Sequence, residues 1–379
     1  MYREVMMDKL FSIIERTDRN PKYHLENDFT FYDRVDNESY QAIRNILNSW
    51  FKDYPNENKK KLTSDFKVNF PAAYFELFTY TLLRNLNFFP KIEIEDSKTK
   101  LTPDFLCKFN EINFYIESTV VIGESEKDKK IDNIKKDLYN KLSELDMPKY
   151  FLYVKEFEIL SKKYPKKSSI LKLIQKRIDN LTESESQIIE RNQFEDPDYP
   201  GLRIETKDLI FETTFIHKIP EFYGNLSHPI GIYPVTSGFI EIEGNIPKAI
   251  KKKIDCYKKN DEDYIIFVNQ IESNTYSIQD LLWHLFGTEH YSNKENKKLL
   301  FESESTNNLI GIMVTCLFPM NINNAEIDFY ANPKKLLKAK LLTDQIPNHK
   351  ISELHFKVTN LHNILGINDD YVGTNWQFG

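Results

Sequence analysis

Apolar residues recur at helical spacing from Tyr40 to Phe51, with Ile43, Leu47 and Trp50 on one face, and this period predicts a helix within a helical N-terminal segment over residues 1–65. Pro55 and the run Lys59-Lys60-Lys61 interrupt the pattern. A second helix is expected after Asn69, with Pro71 in its first turn, ending near Leu86. Beyond Pro90 the period changes to two. Lys91 to Glu95 alternates; around Asp104 the alternation sets Phe105, Cys107 and Phe109 against Asp104, Leu106 and Lys108. In the next run Phe114, Ile116, Ser118 and Val120 oppose Tyr115, Glu117, Thr119 and Val121, so Glu117 and Thr119 look into the same space. A helix over 131–142, a strand over 150–154 and a helix over 168–181 follow. The polar stretch 182–200 reads as an exposed connection, and 202–215 as a hairpin or edge strands. Pro247 opens a helix that reaches Lys259. Buried strands are expected at 264–269 and 309–317, amid a short helix at Leu281 and polar loops.

With 379 residues, one core is too little, and two units or one unit with an insertion are expected. Four segments suggest themselves: 1–65, helical; 66–160, a core; 161–245, an insertion with helix and hairpin; and 246–379, α/β material whose first helix and strand complete the core. Apolar content of 40% with 13% aromatics describes a folded protein, and no run approaches the ~18 apolar residues of a membrane span. Met1 to Glu4 lacks the apolar core of a secretion signal, so a cytoplasmic location without membrane partners is expected. Cys107, Cys256 and Cys316 read as buried free thiols, and the nearest histidines, His284 and His290, are spaced wrongly for a metal pair on one helix face. The net charge of −6 is unlike that of domains that grip duplexes through phosphate neutralisation alone. Lysines nevertheless cluster at 59–61, 127–136, 162–167 and 248–259. Trp50, Tyr139 and Trp283 sit at core-like helical spacing.

The chemistry concentrates in three acids. Glu76 is the only charge between Pro71 and Leu83, and an ionised carboxylate on a buried helix face costs several kcal/mol unless it is paired or faces a cation. Thr102-Pro103-Asp104 and Ile116-Glu117-Ser118-Thr119 follow on consecutive predicted strands. Three acids converging on one divalent ion would supply that balance.

This order, a helix with Glu, a strand with Pro-Asp and a strand with Glu-x-Thr, then helix and strand, resembles the core of the PD-(D/E)xK nuclease superfamily over roughly residues 66–155. The resemblance implies a restriction-endonuclease-like α/β fold, a mixed central sheet flanked by helices. By this resemblance Asp104, Glu117 and the Ser118 carbonyl would hold Mg²⁺ or Mn²⁺, and Glu76 would act through a water. It further implies a metal-dependent endonuclease acting on DNA ahead of RNA, of the kind used in bacterial restriction and anti-phage defence, alone, as a homodimer or with a partner protein.

Where the family has lysine this chain has Thr119. A hydroxyl positions water but does not offset charge on a pentacovalent phosphate. On the helix from Pro247, at about 100° per residue, Lys253 falls inside the apolar arc of Ala249, Ile250, Ile254 and Tyr257 while Lys248, Lys251 and Lys252 point elsewhere. Lys253 is therefore the candidate replacement cation, ahead of Lys108, Lys129 and Lys130. The competing expectations are a nuclease-like domain that binds nucleic acid or assembles without cutting, which Thr119 favours, and a structural role in which Glu76 is met by a buried lysine or arginine.

Overall fold

The computed structural model describes residues 9–95, 100–122, 126–161, 166–191, 198–224, 228–233, 245–257, 261–271, 281–282, 285–286 and 299–367. Two compact units divide the chain: Met1–Asp18, Asn27–Gly123 and Ile240–Gly379 form the first, Arg19–Glu26 and Glu124–Phe239 the second.

In the first unit, α1 (Asp28–Arg34), α2 (Glu38–Asp53), α3 (Asn56–Val68) and α4 (Phe70–Asn85) come before the first strand. The Asn69 side chain accepts the Ala72 N–H and Pro71 stands in the first turn, which fixes where α4 begins. It buries eleven of its sixteen residues, which explains a helix apolar almost all round: α2 and α3 cover one side and a sheet the other. Phe75 and Phe78 meet Phe267 of that sheet at ring-centroid distances of 4.7 and 6.3 Å, and Trp50 packs on Phe78 at 6.2 Å. Each such side chain stabilises the unit by about 1.5–3 kcal/mol through burial.

The sheet is mixed and eight-stranded. It contains β1 (Lys91–Ile92), β2 (Phe105–Phe109), β3 (Ile112–Val121), β8 (Tyr264–Gln270), β9 (Leu309–Thr315), β10 (Ile327–Ala331), β11 (Asn348–Lys350) and β12 (His355–Val358), in the order β1-β2-β3-β8-β9-β10-β12-β11. β1, β2 and β3 are antiparallel neighbours, whereas β3 pairs in parallel with β8 and β8 with β9. Alternation along β3 sends Phe114 and Ile116 into the core under α4, and Tyr115 and Val121 into a second core on the opposite face. That second core is closed by α8 (Asn245–Tyr257), through Ile246, Ile250, Ile254 and Tyr257. Helices thus flank both faces of a mixed α/β sheet.

The second unit holds α5 (Glu126–Leu142), α6 (Lys167–Asp179), α7 (Glu183–Glu190) and a four-stranded sheet ordered β5 (Gly201–Glu205), β6 (Leu209–His217), β4 (Tyr150–Ile159), β7 (Ile230–Ile232). The 131–142 helix and the 150–154 strand, read as parts of the core, belong here, so the division falls at 123/124 and not at 160/161. The helix and strand adjoining β3 in the first unit are α8 and β8. Periodicity reports that a helix and a strand exist but not which sheet recruits them.

Other expectations change too. The 182–200 connection contains α7, whose start is a capping box between Thr182 and Glu185, and its Glu185 also pairs with Arg177. The C-terminal polar loops contain β10, β11 and β12, and the Lys91–Glu95 strand stops at Ile92 because Glu93 has φ 47°. Cys256 lies exposed on α8, while Cys107 is buried and Cys316 half-buried. Trp50 and Tyr139 are core residues; Trp283, His284 and His290 lie outside the described residues. Among the described residues no helix is long and apolar enough to cross a membrane.

Gly311 of β9 sits where a Cβ would stand 2.6 Å from the Tyr330 carbonyl oxygen and 2.7 Å from two Phe329 ring carbons. Backbone on one side and a core ring on the other leave little room to yield. Gly311→Ala is expected to destabilise the chain by about 1–3 kcal/mol, read as a lower midpoint of urea or thermal unfolding; an unchanged midpoint would show that the strands part without cost.

Candidate active site

Glu117 anchors the site. It lies on the α8 face of β3, opposite Ile266 of β8, and is only 5% exposed. Two donors from one helix meet it. The Lys253 ammonium forms an ion pair with Oε2, and the Tyr257 hydroxyl donates to Oε1. Lys253 and Tyr257 stand at i and i+4 on α8, so one helical turn aims both at the same carboxylate. Lys248, Lys251 and Lys252 are exposed, as is Lys108 on β2 and Lys130 on α5; the Lys129 side chain lies outside the described residues. Of the lysine candidates whose side chains are described, Lys253 is the one that reaches the acids.

Asp104 immediately precedes β2 and accepts the Ser118 backbone N–H at 2.7 Å through Oδ2. Its Oδ1 has no protein hydrogen-bond partner among the described residues. Burial, and next the negative charge of Glu117, push its carboxyl up to about 7 against the opposing pull of Lys253 and the Ser118 N–H. Burial alone would lower the Lys253 ammonium, but Glu117 and Asp104 outweigh it and hold that ammonium above its ordinary range. One cation therefore serves two crowded acids.

Glu76 is half-buried on α4 and contributes the weakest of the charges that bear on Asp104. Its partner is neither lysine nor arginine: the buried Tyr54 hydroxyl, just beyond α2, donates to Oε1. Burial raises the Glu76 carboxyl, opposed by the Tyr54 hydrogen bond and then by the Lys61 charge. Lys61 pairs with Glu93, and the Glu93 N–H donates to the Asp104 carbonyl oxygen at 3.1 Å. Glu93 holds a left-handed backbone, rare for a non-glycine residue and costly by about 1–3 kcal/mol.

Thr119 shares the Glu117 face of β3, half-buried, and its hydroxyl has no protein hydrogen-bond partner among the described residues. Ser118 donates its N–H to Asp104, and its own buried hydroxyl has no protein partner among the described residues. Tyr54, Tyr257, Lys61 and Glu93 were not legible as site residues. Tyr257 carried one usable signal, its i,i+4 spacing to Lys253; the others carried none, because they reach the site through tertiary packing.

Asp104 and Glu117 fit a hard divalent cation by donor type: both are carboxylates, Asp104 keeps an oxygen free of protein donors, and their crowding is what a cation relieves. Among the described residues no group of three or more His, Cys, Asp or Glu side chains stands close enough together to hold a metal ion. Two carboxylates suffice where waters and a substrate phosphate complete the shell. No protein-family model, curated protein or solved structure matches the chain. The chemistry has to be read from these side chains.

A carboxyl raised by folding binds its proton more tightly folded than unfolded, so its contribution is present at low pH and is lost as pH rises from about 4 through about 7. Asp104→Asn, which keeps an acceptor for the Ser118 N–H, is expected to remove that loss and to be the more stable protein at pH 8 by on the order of 1–3 kcal/mol in the absence of divalent ions. A stability difference between the two proteins that stays constant from pH 5 to 8 would show that Asp104 is not crowded.

Lys253→Met leaves Glu117 with Tyr257 alone and should cost about 1–3 kcal/mol, less than a fully buried pair because Lys253 keeps 27% of its side chain exposed. Adding Glu117→Gln should recover most of that loss. Strict additivity of the two in unfolding titrations would mean that the pair contributes no coupling.

Proposed function

We propose that the chain is a metal-dependent phosphodiesterase acting on DNA, with RNA as the second substrate class, on a restriction-endonuclease-like core. The observation that carries the reading is the pairing of Lys253 with Glu117 across 136 positions of sequence, beside Asp104. A strand acid of the Glu-x-Thr type lacks its lysine locally, and α8 offers one at the same carboxylate. The succession of α4, β1, β2 and β3, then α8 and a parallel β8, supports the same reading.

Asp104, Glu117 and the Ser118 carbonyl would hold magnesium or manganese, with Glu76 acting through a water, and the bound ion would supply Lewis acidity toward a phosphate oxygen and lower the pKa of the attacking water. The chain's own groups do the rest. Lys253 leaves Glu117 to take a phosphate oxygen, where its charge offsets what develops in the transition state. Tyr257 keeps its hydrogen bond and holds Glu117 in place. The Ser118 N–H fixes one Asp104 oxygen and so aims the other. Thr119 accepts or donates to the incoming water, and Tyr54 orients Glu76.

One observation favours a second reading. Both Glu117 oxygens already have donors, so the carboxylate is neutralised without metal. A nuclease-like domain that binds nucleic acid or assembles without cutting would look the same.

Incubation with supercoiled plasmid, single-stranded DNA and RNA in Mg²⁺ or Mn²⁺ separates the two. The enzyme is expected to cut, Asp104→Ala to be inert, and Lys253→Ala to lose roughly 10²–10³ in rate. Divalent ion at about 100 times its Kd should stabilise wild type by about 2.7 kcal/mol and Asp104→Ala far less. Wild type as inert as Asp104→Ala on all substrates, with equal metal shifts, would leave the binding module.

A further inference from the structure

A second polar site lies in the first unit, away from the acids above. Arg44 on α2 is only 6% exposed. Its Nη1 donates to the Tyr32 and Val35 carbonyl oxygens at 2.7 and 3.0 Å, which satisfies the free carbonyls at the end of α1. A guanidinium carries five N–H donors, and those on Nε and Nη2 have no protein partner among the described residues. Among the described residues no ion pair joins Arg44 to a carboxylate: Asp33 is engaged by Arg16 at 2.9 Å, and Asp36 acts on Arg44 only at a distance. Burial, and then the neighbouring Arg16 charge, hold Arg44 down at about 10. A buried cation without a counter-ion is costly.

Arg44 lines a cavity of about 360 Å³, together with Lys9, Arg16, Asn48, Glu15 and Asp36. Asn48 is set there with defined polarity, because its Oδ1 accepts the Leu10 and Phe11 N–H groups at 2.8 and 3.2 Å and, among the described residues, its amide NH₂ has no protein partner. With Arg16 paired to Asp33, Lys9 and Arg44 face Glu15 and Asp36, and the planar fork of unused N–H groups beside an unused amide is what describes an oxyanion receptor. The volume exceeds what an inorganic ion fills and falls at the lower end of small-ligand sites.

We propose that this cavity binds a small phosphate-bearing molecule of nucleotide size, its phosphate held by the Nε and Nη2 groups of Arg44 and the amide of Asn48. Arg16 is consumed in ordering the wall: its guanidinium donates to the Ser12, Ile14 and Asp33 carbonyls as well as to the Asp33 carboxylate. It contributes field rather than contact. Occupancy would tie residues 9–16 to α2, so ligand and local order are linked.

Calorimetry and thermal unfolding of the full chain at low ionic strength test this with inorganic phosphate, adenosine 5′-monophosphate and adenosine. The nucleotide is expected to bind and stabilise, phosphate to do so more weakly, and adenosine not at all. Asn48→Asp keeps the acceptor for Leu10 and Phe11, hence the fold, but replaces the donor with a charge; it should weaken nucleotide binding at least roughly tenfold, as should Arg44→Lys. Asp104→Ala, at the other site, should leave binding intact. The proposal is overturned by the absence of binding of either anion, by equal affinity for nucleotide and adenosine or for nucleotide and phosphate, or by Asn48→Asp binding as tightly as wild type.

Discussion

A carboxylate buried on the face of a strand has to be met by donors, and at Glu117 both come from one turn of α8. The register of β3 against β8 determines which way Glu117 faces, and the i,i+4 pair Lys253 and Tyr257 then determines the rotation of α8 about its own axis. Apolar packing through Ile246, Ile250 and Ile254 would tolerate a small turn or slide of the helix. The charge does not, since leaving a buried acid unpaired costs several kcal/mol. The same constraint explains where an insertion is tolerated. Parallel neighbours such as β3 and β8 require a long crossover, and the second unit occupies that crossover, leaving β1, β2 and β3 as an uninterrupted antiparallel meander.

Charge balance is the second constraint. Glu117 and, more weakly, Glu76 bear on Asp104 in a partly buried space, with Lys253 as the cation shared by Asp104 and Glu117 and Lys61 engaged with Glu93. Such an arrangement is held by the scaffold at a cost in stability: a raised Asp104, a raised Glu76 and a left-handed Glu93 all sit within it. Structural ion pairs elsewhere in the same unit are organised differently. Asp263, equally buried, has two lysines, Lys335 and Lys338, for one acid.

Legibility in the sequence follows from the range of the interaction concerned. α2 and β3 were readable from their own periods, α4 from the apolar run behind Asn69 and Pro71, β8 from its short apolar run, and Glu76 because a lone charge interrupts an apolar helix. The inward aim of Lys253 was readable from 100° per residue alone. What failed was assignment between elements. The 131–142 helix and 150–154 strand follow β3 in sequence yet join another sheet, and nothing in their periods says so. β10 to β12 are short and mix polar with apolar positions, so pairing, not propensity, makes them strands. Tyr54 reaches Glu76 from the residue that ends α2, and Tyr257 looked like core because its ring is core; only its hydroxyl meets Glu117.

Thr119 is best understood from the geometry that Lys253 imposes. Residues two apart on one face of a strand are separated by about 6.6 Å, so a lysine at 119 would bring a second ammonium toward the carboxylate that Lys253 already pairs. Two cations on one acid would cancel the crowding that raises Asp104 and would compete for the oxygens of Glu117. A hydroxyl at 119 avoids both consequences, and among the described residues it leaves a polar group without a protein partner on the Glu117 face of β3. The cation at Glu117 therefore comes from a helix 136 residues away in sequence, and any displacement of α8 moves Lys253 and Tyr257 together.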